Sequence, residues 1–381
     1  MEFLHPQAGF TDVGFDEHLY RGYVDGLVHT GLASYFTVVD HYIEVQKPLT
    51  GSILPPVRFL YIFAAYLWHL TFGTEALGAL HGVASLFSIL TLLLSGIFAW
   101  RLGGRAAGLG VLALMSSAPT QIHMSQHALV DGFFTFWAVL CLWLLWENLR
   151  APRRASWLIA YSLGLMLLVL TKENSLFVVF ALVVLMIANH WLKFGSVTRE
   201  LLTATVLGPL LGIAALVLLA GGIDTLIATY KLSVAKNYTL TFAILTGDGP
   251  WYRYLVDLLL VSPVILILAI SALFRLNRTM KAELFMSIFI AASYLVMCNI
   301  KYGMNLRYAN MWDMPLRFLA FSQIMWLATL AKKFQAAIIA SAVVLLAAVE
   351  FHQYIVLAVR YPLYELITHD LLEALSILKP M

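Results

Sequence analysis

The residues able to do chemistry in this 381-residue chain are few and widely spaced. Two adjacent acids, Asp16 and Glu17, stand near the front in "GFDEHLY". A third, Asp131, sits in "SQHALVDGFFTF". Bases occur at Lys47 in "VQKPL", Lys172 in "LTKEN" and Arg307, beside Tyr308, in "NLRYANMWDMP". A carboxylate can take a proton from a hydroxyl, and Lys and Arg can hold a phosphate and stabilise charge growing on it. Singly, each has a plainer reading. Asp16 and Asp131 could cap helices, and Lys172 and Arg307 could snorkel to lipid headgroups. Together they describe a site for an anionic lipid head and a hydroxyl, provided the chain gathers them on one face.

The composition sets the medium in which that gathering happens. The chain is 61% hydrophobic and 12% charged, with a mean hydropathy of +0.84, against about 45–50% and about 25% for soluble domains. No soluble shape hides so much apolar surface. The fold class is therefore all-α, a polytopic membrane protein, because helices satisfy their own backbone in lipid. Ten apolar runs of roughly spanning length lie near 76–100, 106–122, 129–147, 156–171, 174–192, 201–220, 255–274, 283–300, 312–331 and 335–358. An eleventh, Ile53 to Phe72, carries Pro55, Pro56 and Arg58, which suit a helix lying in or dipping into the interface.

Basic residues assign the sides. Hairpins at Arg101–Arg105, Arg150–Arg154, Lys193–Arg199, Arg275–Lys281 and Lys332–Lys333 hold twelve of the 24 Lys and Arg, at every second loop. By the positive-inside rule they are cytoplasmic. The loops at 118–128, 171–174, 221–254 and 301–313 and the tail after Arg360 then face outward. If 53–72 does not cross, Asp16 and Asp131 share that outer face. Leu19, Tyr20, Tyr23, Val24, Leu27 and Val28 form one apolar stripe opposite His18, Arg21, Asp25 and His29, so a helix follows Asp16 along the membrane plane. The segment 223–242 reads as an amphipathic helix and loop, and "TGDGPWYRY" at 246–254 adds a turn and an aromatic-basic cluster, a belt or a flap over the acceptor side; Asn237-Tyr238-Thr239 is a glycosylation sequon. Three regions result: 1–75, a first external loop with interfacial helices and the acids; 76–331, the membrane core; and 332–381, the last span and tail.

Other chemistries find less support. Asp16, Glu17, Asp131, His123 and His127 could offer a divalent metal ligands, but their spacing matches no closed site, so no metal is expected to be obligatory. Cys141 and Cys298 both lie inside apolar runs and imply no disulfide. No basic, aromatic-interleaved soluble patch points to nucleic acid. Residues 1–15 lack the apolar core of a secretory signal.

"FDEHLY", "KPL", "ALVDGFFTFWAVL", "LTKEN" and "RYANMWDMP", in that order, resemble the GT-C class of integral-membrane glycosyltransferases, among them the protein O-mannosyltransferases and the enzymes that move aminoarabinose or galacturonic acid onto lipopolysaccharide. The resemblance covers most of the first 320 residues. It implies a polyprenyl-phosphate sugar donor, an acceptor of unknown kind, the bilayer as a partner, and a site on the extracytoplasmic face of the plasma (inner) membrane if the host is bacterial. Asp16 would be general base in an inverting transfer, with Glu17 its neighbour. Lys47, Lys172 and Arg307 would contact the phosphate, and Asp131 and Tyr308 would line the substrate site. Two departures stand out. No span precedes Asp16, where the family has one, and His81 stands where an Arg is common. A transporter or flippase of a lipid-linked sugar is the alternative, although no internal repeat supports it.

Overall fold

A computed structural model describes residues 15–51, 53–240, 247–301 and 303–360. The tail after Arg360 and part of the 221–254 loop fall outside them. Among the described residues the chain is mostly helical and has no strand. Five helical stretches are long and apolar enough to cross a membrane: 76–116, 130–150, 175–192, 199–219 and the run 306–360. Shorter apolar helices cover 59–72, 155–169 and 263–273. Large side chains such as Leu176, Leu210, Leu218 and Leu295 remain exposed on their outer faces, as lipid-facing positions must. This is an integral membrane protein.

α1 (Phe15–Thr30) buries Tyr20, Val24 and Leu27 and exposes His18, Arg21 and His29, as its apolar stripe requires. α2 (Tyr35–Gln46) and α3 (Phe59–Phe72) follow it. At 1.5 Å per residue, the 14 residues of α3 reach about 21 Å, short of the ~30 Å hydrocarbon core. Its first turn is tied to the 170–173 loop, where Leu60 N–H donates to the Leu170 carbonyl. The following helix, α4 (Ala76–Ser116), starts at the same end, with His81 4.0 Å from Glu17. α3 therefore begins and ends on one side.

Two expected spans differ in detail. The runs near 76–100 and 106–122 are the two legs of α4, which turn at Gly104 (φ 80°, ψ −173°), a conformation open to glycine. The second leg stops at Ser116 rather than continuing to 122, because Pro119 forces Ala118 into an extended conformation and opens a new short helix, α5 (Pro119–Gln126). α6 (Val130–Arg150), α7 (Ala155–Val169), α8 (Ser175–Leu192) and α9 (Arg199–Leu219) match their runs, and the amphipathic α10 (Ile223–Asn237) follows. The run 255–274 is broken at Ser262 by Pro263, giving α11 (Arg253–Val261) and α12 (Pro263–Leu273). α13 (Lys281–Met297), a 3₁₀ turn at Leu306–Trp312, α14 (Asp313–Ala328) and α15 (Gln335–Tyr354) complete the bundle.

The main core joins α4, α6, α7, α8, α12, α13 and α14 around side chains such as Phe98, Leu145, Phe285, Phe289 and Trp312. A second apolar cluster includes Tyr20, Tyr35, Tyr61 and Ile62 of α1–α3, with Leu80 and Val83 of α4 and Phe133 of α6. That second cluster seats the α1–α3 cap on one end of the bundle.

Candidate functional site

The residues from α1 and from three loops meet beneath this cap. Arg307, in the 3₁₀ turn before α14, reaches across 291 positions of sequence to donate from Nη1 to Asp16 Oδ2 at 3.1 Å. The Asp16 side chain keeps about a quarter of its surface (26%), while that of Arg307 keeps 10%. Glu17 is buried. Its Oε1 accepts from the Ala128 N–H at 2.5 Å and lies 3.5 Å from His127 Nδ1. The two neighbouring acids thus differ in circumstance. Asp16 is partly exposed, whereas Glu17 fastens α1 to the 127–128 loop and lies beside His81.

Behind them, Lys172 Nζ donates to Asp131 Oδ1 at 2.5 Å, with both side chains almost fully buried. The ammonium sits 4.0 Å from the centroid of the Tyr308 ring, a cation–π contact. Arg58, just before α3, holds Glu173 with two bonds, at 2.6 and 3.3 Å, and donates to the Tyr20 hydroxyl at 2.6 Å. Tyr20 packs edge-on against Tyr61. Burial and secondarily the charge of Arg58 act on Tyr20 in opposite senses, and burial wins, keeping the hydroxyl protonated. Burial also opposes ionisation of Glu173, but Arg58 and Lys172 outweigh it and hold its pKa down at about 2. Burial pushes the Lys172 ammonium down against the pull of Asp131. It likewise keeps the His123 ring neutral, aided by His127 and Arg307.

Six of the seven residues singled out by sequence are therefore brought to one end: Asp16, Glu17, Asp131, Lys172, Arg307 and Tyr308. Lys47 is not. It is exposed at the end of α2, where its carbonyl accepts from Lys236 of α10. Nor does Lys172 snorkel, since its ammonium is buried in an ion pair. Arg58 and Glu173 were not assigned a role from the sequence. The adjacency of Glu173 to Lys172 and the Pro55-Pro56 turn before Arg58 were the available signals. His81 ends beside Glu17. Among the described residues, no group of three or more His, Cys, Asp or Glu is arranged to hold a metal.

A second ionic cluster supports the turn that carries Arg307. Arg317 of α14 donates to Asp313 Oδ1 at 2.9 Å, to the Leu114 carbonyl at 3.1 Å and to Glu350 of α15. Gln121 and Thr120 of α5 donate to the other oxygen of Asp313, and Ser262, at the α11–α12 break, donates to Glu350 at 3.0 Å. Arg317, Asp313 and Glu350 are each at most 2% exposed.

Residues 59–236 match the family described as dolichyl-phosphate-mannose-protein mannosyltransferase. The chain resembles a GT-C glycosyltransferase. Its fold is similar to that of ArnT from Cupriavidus metallidurans in the apo state, with a TM-score of 0.50 at 16% identity over 92% of this chain and 76% of that one. It is similar again to the same protein bound to undecaprenyl phosphate, with a TM-score of 0.57 at 16% identity over 98% and 74%. At such identity the likeness is one of fold. No curated protein sequence matches. The family match takes in Asp131 and Lys172 but stops short of Asp16, Lys47 and Arg307 on either side.

Proposed function

We propose that the chain transfers a sugar from a polyprenyl-phosphate donor to an acceptor hydroxyl at the outer face of the membrane, with inversion and with Asp16 as general base. The family match and the ArnT-like fold support a glycosyltransferase with a lipid-linked donor. The observation that carries the assignment of roles is the Asp16–Arg307 pair, a partly open carboxylate held by the guanidinium of a distant turn. The cluster sets four carboxylates, Asp16, Glu17, Asp131 and Glu173, against three permanent cations, Arg58, Lys172 and Arg307, each cation already facing an acid. A donor phosphate therefore exchanges partners rather than filling a vacant positive site. Arg307 is itself the most exposed of the three cations, at 10% against 7% for Arg58 and 1% for Lys172, so it is the one to turn from Asp16 to the phosphate.

That exchange couples donor binding to base formation. Once Arg307 engages phosphate, the Asp16 oxygen is free to accept the acceptor's proton. The acceptor oxygen forms its bond to the anomeric carbon from the face opposite the phosphate. The bond from that carbon to the phosphate oxygen breaks, and polyprenyl phosphate leaves with the electron pair. Arg307 stabilises the charge that develops there. Lys172 and Asp131, a neutral pair under Tyr308, shape the wall of the site, and Glu17 positions Asp16. Lys47 reaches the phosphate only if the α2–α3 loop closes over it. The test is release of polyprenyl phosphate by purified protein in nanodiscs, given labelled polyprenyl-phosphate sugars and envelope acceptors. Asp16→Asn is expected to retain donor binding and lose release. Equal release by both proteins removes Asp16 from the chemistry, and donor crossing the bilayer without release makes the protein a flippase.

A further inference from the structure

At the far end of the bundle lies an open cavity of about 580 Å³, apart from the proposed transferase site. α6 fixes the separation. It begins beside Asp131, at Val130, and ends at Arg150, the last of its 21 residues, about 30 Å away. The cavity is walled by the last residue of α6, the end of α8 and the start of α13. Arg150, Lys193 and Lys281 face Glu283 across an apolar floor that includes Trp146 and Phe194. Two of these charges are occupied. Lys281 Nζ donates to the Leu192 and Lys193 carbonyls at the end of α8, and Glu283 accepts from Ser322 at 2.8 Å. Arg150 stacks over Trp146 at 5.4 Å, and Lys193 is exposed. Neither has a carboxylate within ion-pair distance among the described residues.

We propose that this cavity binds the phosphate headgroup of an anionic phospholipid of the cytoplasmic leaflet, with Arg150 and Lys193 as its cations. Basic pockets between transmembrane helices on that side recognise such headgroups. Four of the five basic hairpins contribute lining residues. Free phosphate shares the charge but not the surroundings. The floor of Leu102, Trp146, Phe194 and Met280 suits glycerol and the first acyl carbons. Trp191 (65%) and Phe274 (87%), two and five residues along the chain from the lining residues Lys193 and Thr279, are exposed side chains that belong in lipid. Lipid-facing side chains on the same segments favour a lipid over free phosphate as the ligand.

The experiment measures lipid enrichment around the full chain in nanodiscs of phosphatidylcholine doped with phosphatidylglycerol, by native mass spectrometry of the retained lipid. Wild type is expected to retain phosphatidylglycerol above its mole fraction. Arg150→Gln with Lys193→Asn removes both cations, and Asn suits the left-handed backbone of Lys193 (φ 55°). Each basic group near the surface contributes on the order of a fivefold preference, so the double variant should lose ~25-fold. If the double variant does not fold, each single variant should lose about fivefold. Undiminished enrichment in the variants overturns the proposal. So does equal retention of phosphatidylcholine, or displacement of the bound lipid by millimolar inorganic phosphate, which would make this a soluble-phosphate site.

Discussion

At the level of single residues, the proposed mechanism separates groups of the cap-side cluster that react from groups that hold. Arg307 is expected to do both in turn, so Arg307→Met should weaken donor binding and depress release together. Asp16→Asn should depress release alone. Parallel measurement of labelled-donor affinity and turnover distinguishes the two. The Asp131–Lys172 pair gives a sharper stability test. Removing one partner leaves a buried, uncompensated charge and costs about 3–5 kcal/mol, whereas replacing both with apolar groups is often neutral. Asp131→Asn or Lys172→Met alone should therefore lower the Tm well below that of the double variant Asp131→Leu/Lys172→Met. Glu173 supplies the pH dependence. Its carboxyl is held near 2 in the folded protein, below the ~4.3 of an unfolded glutamate. Its pairing with Arg58 stabilises the fold above that higher value and is lost as pH falls through the window toward 2. The Tm of Glu173→Gln should accordingly fall less steeply between pH 4.5 and 2 than that of wild type.

At the level of elements, close helix contacts place the loops that carry these residues. α9 packs on α7 through Gly208 and Gly212, a pair four positions apart. A Cβ on Gly208 would lie 2.6 Å from the Ser162 carbonyl, and one on Gly212 2.9 Å from that of Met166. Backbone cannot yield as a side chain can, and small residues at this spacing let membrane helices approach. Gly208→Val should part the helices, displace the 170–173 loop that follows α7, and reduce both the Tm and the yield of folded protein. A substitution of similar size at lipid-facing Leu210 should do neither. The helices, the cap and its buried stripe were readable from apolar periodicity, because that signal is local. The turn at Gly104 was readable too, as the basic hairpin Arg101–Arg105 between two apolar runs. The buried ion pairs were less so. The Arg317–Asp313–Glu350 cluster joins residues 33 to 37 positions apart on helices whose facing only packing decides. Arg58 and Glu173 pair across 115 positions, a distance over which one sequence gives no pairing signal. Lys47, suggested by resemblance, lies outside the cluster.

At the level of the whole molecule, the two ends of the bundle carry opposite characters. One holds the cap and a cluster in which acids outnumber permanent cations. The other holds the basic hairpins and the lipid-sized cavity. The positive-inside rule turns that asymmetry into an orientation, and the chemistry depends on it, because a lipid-linked sugar presented to one leaflet meets acceptors only on that side. Both native thiols, Cys141 and Cys298, are buried, so an introduced cysteine can report the side directly. Lys47→Cys lies on the cap and Arg278→Cys in an exposed basic hairpin; neither native side chain belongs to a hydrogen-bonded cluster. In intact cells, a membrane-impermeant maleimide should label Lys47→Cys at once and Arg278→Cys only after permeabilisation. The reverse pattern would put Asp16 on the cytoplasmic face. The donor would then have to be drawn from the inner leaflet, and the cavity around Arg150 would open to the outer one, where the argument for an anionic cytoplasmic lipid no longer holds. One labelling experiment thus bears on both sites, and it does so independently of whether either variant is active.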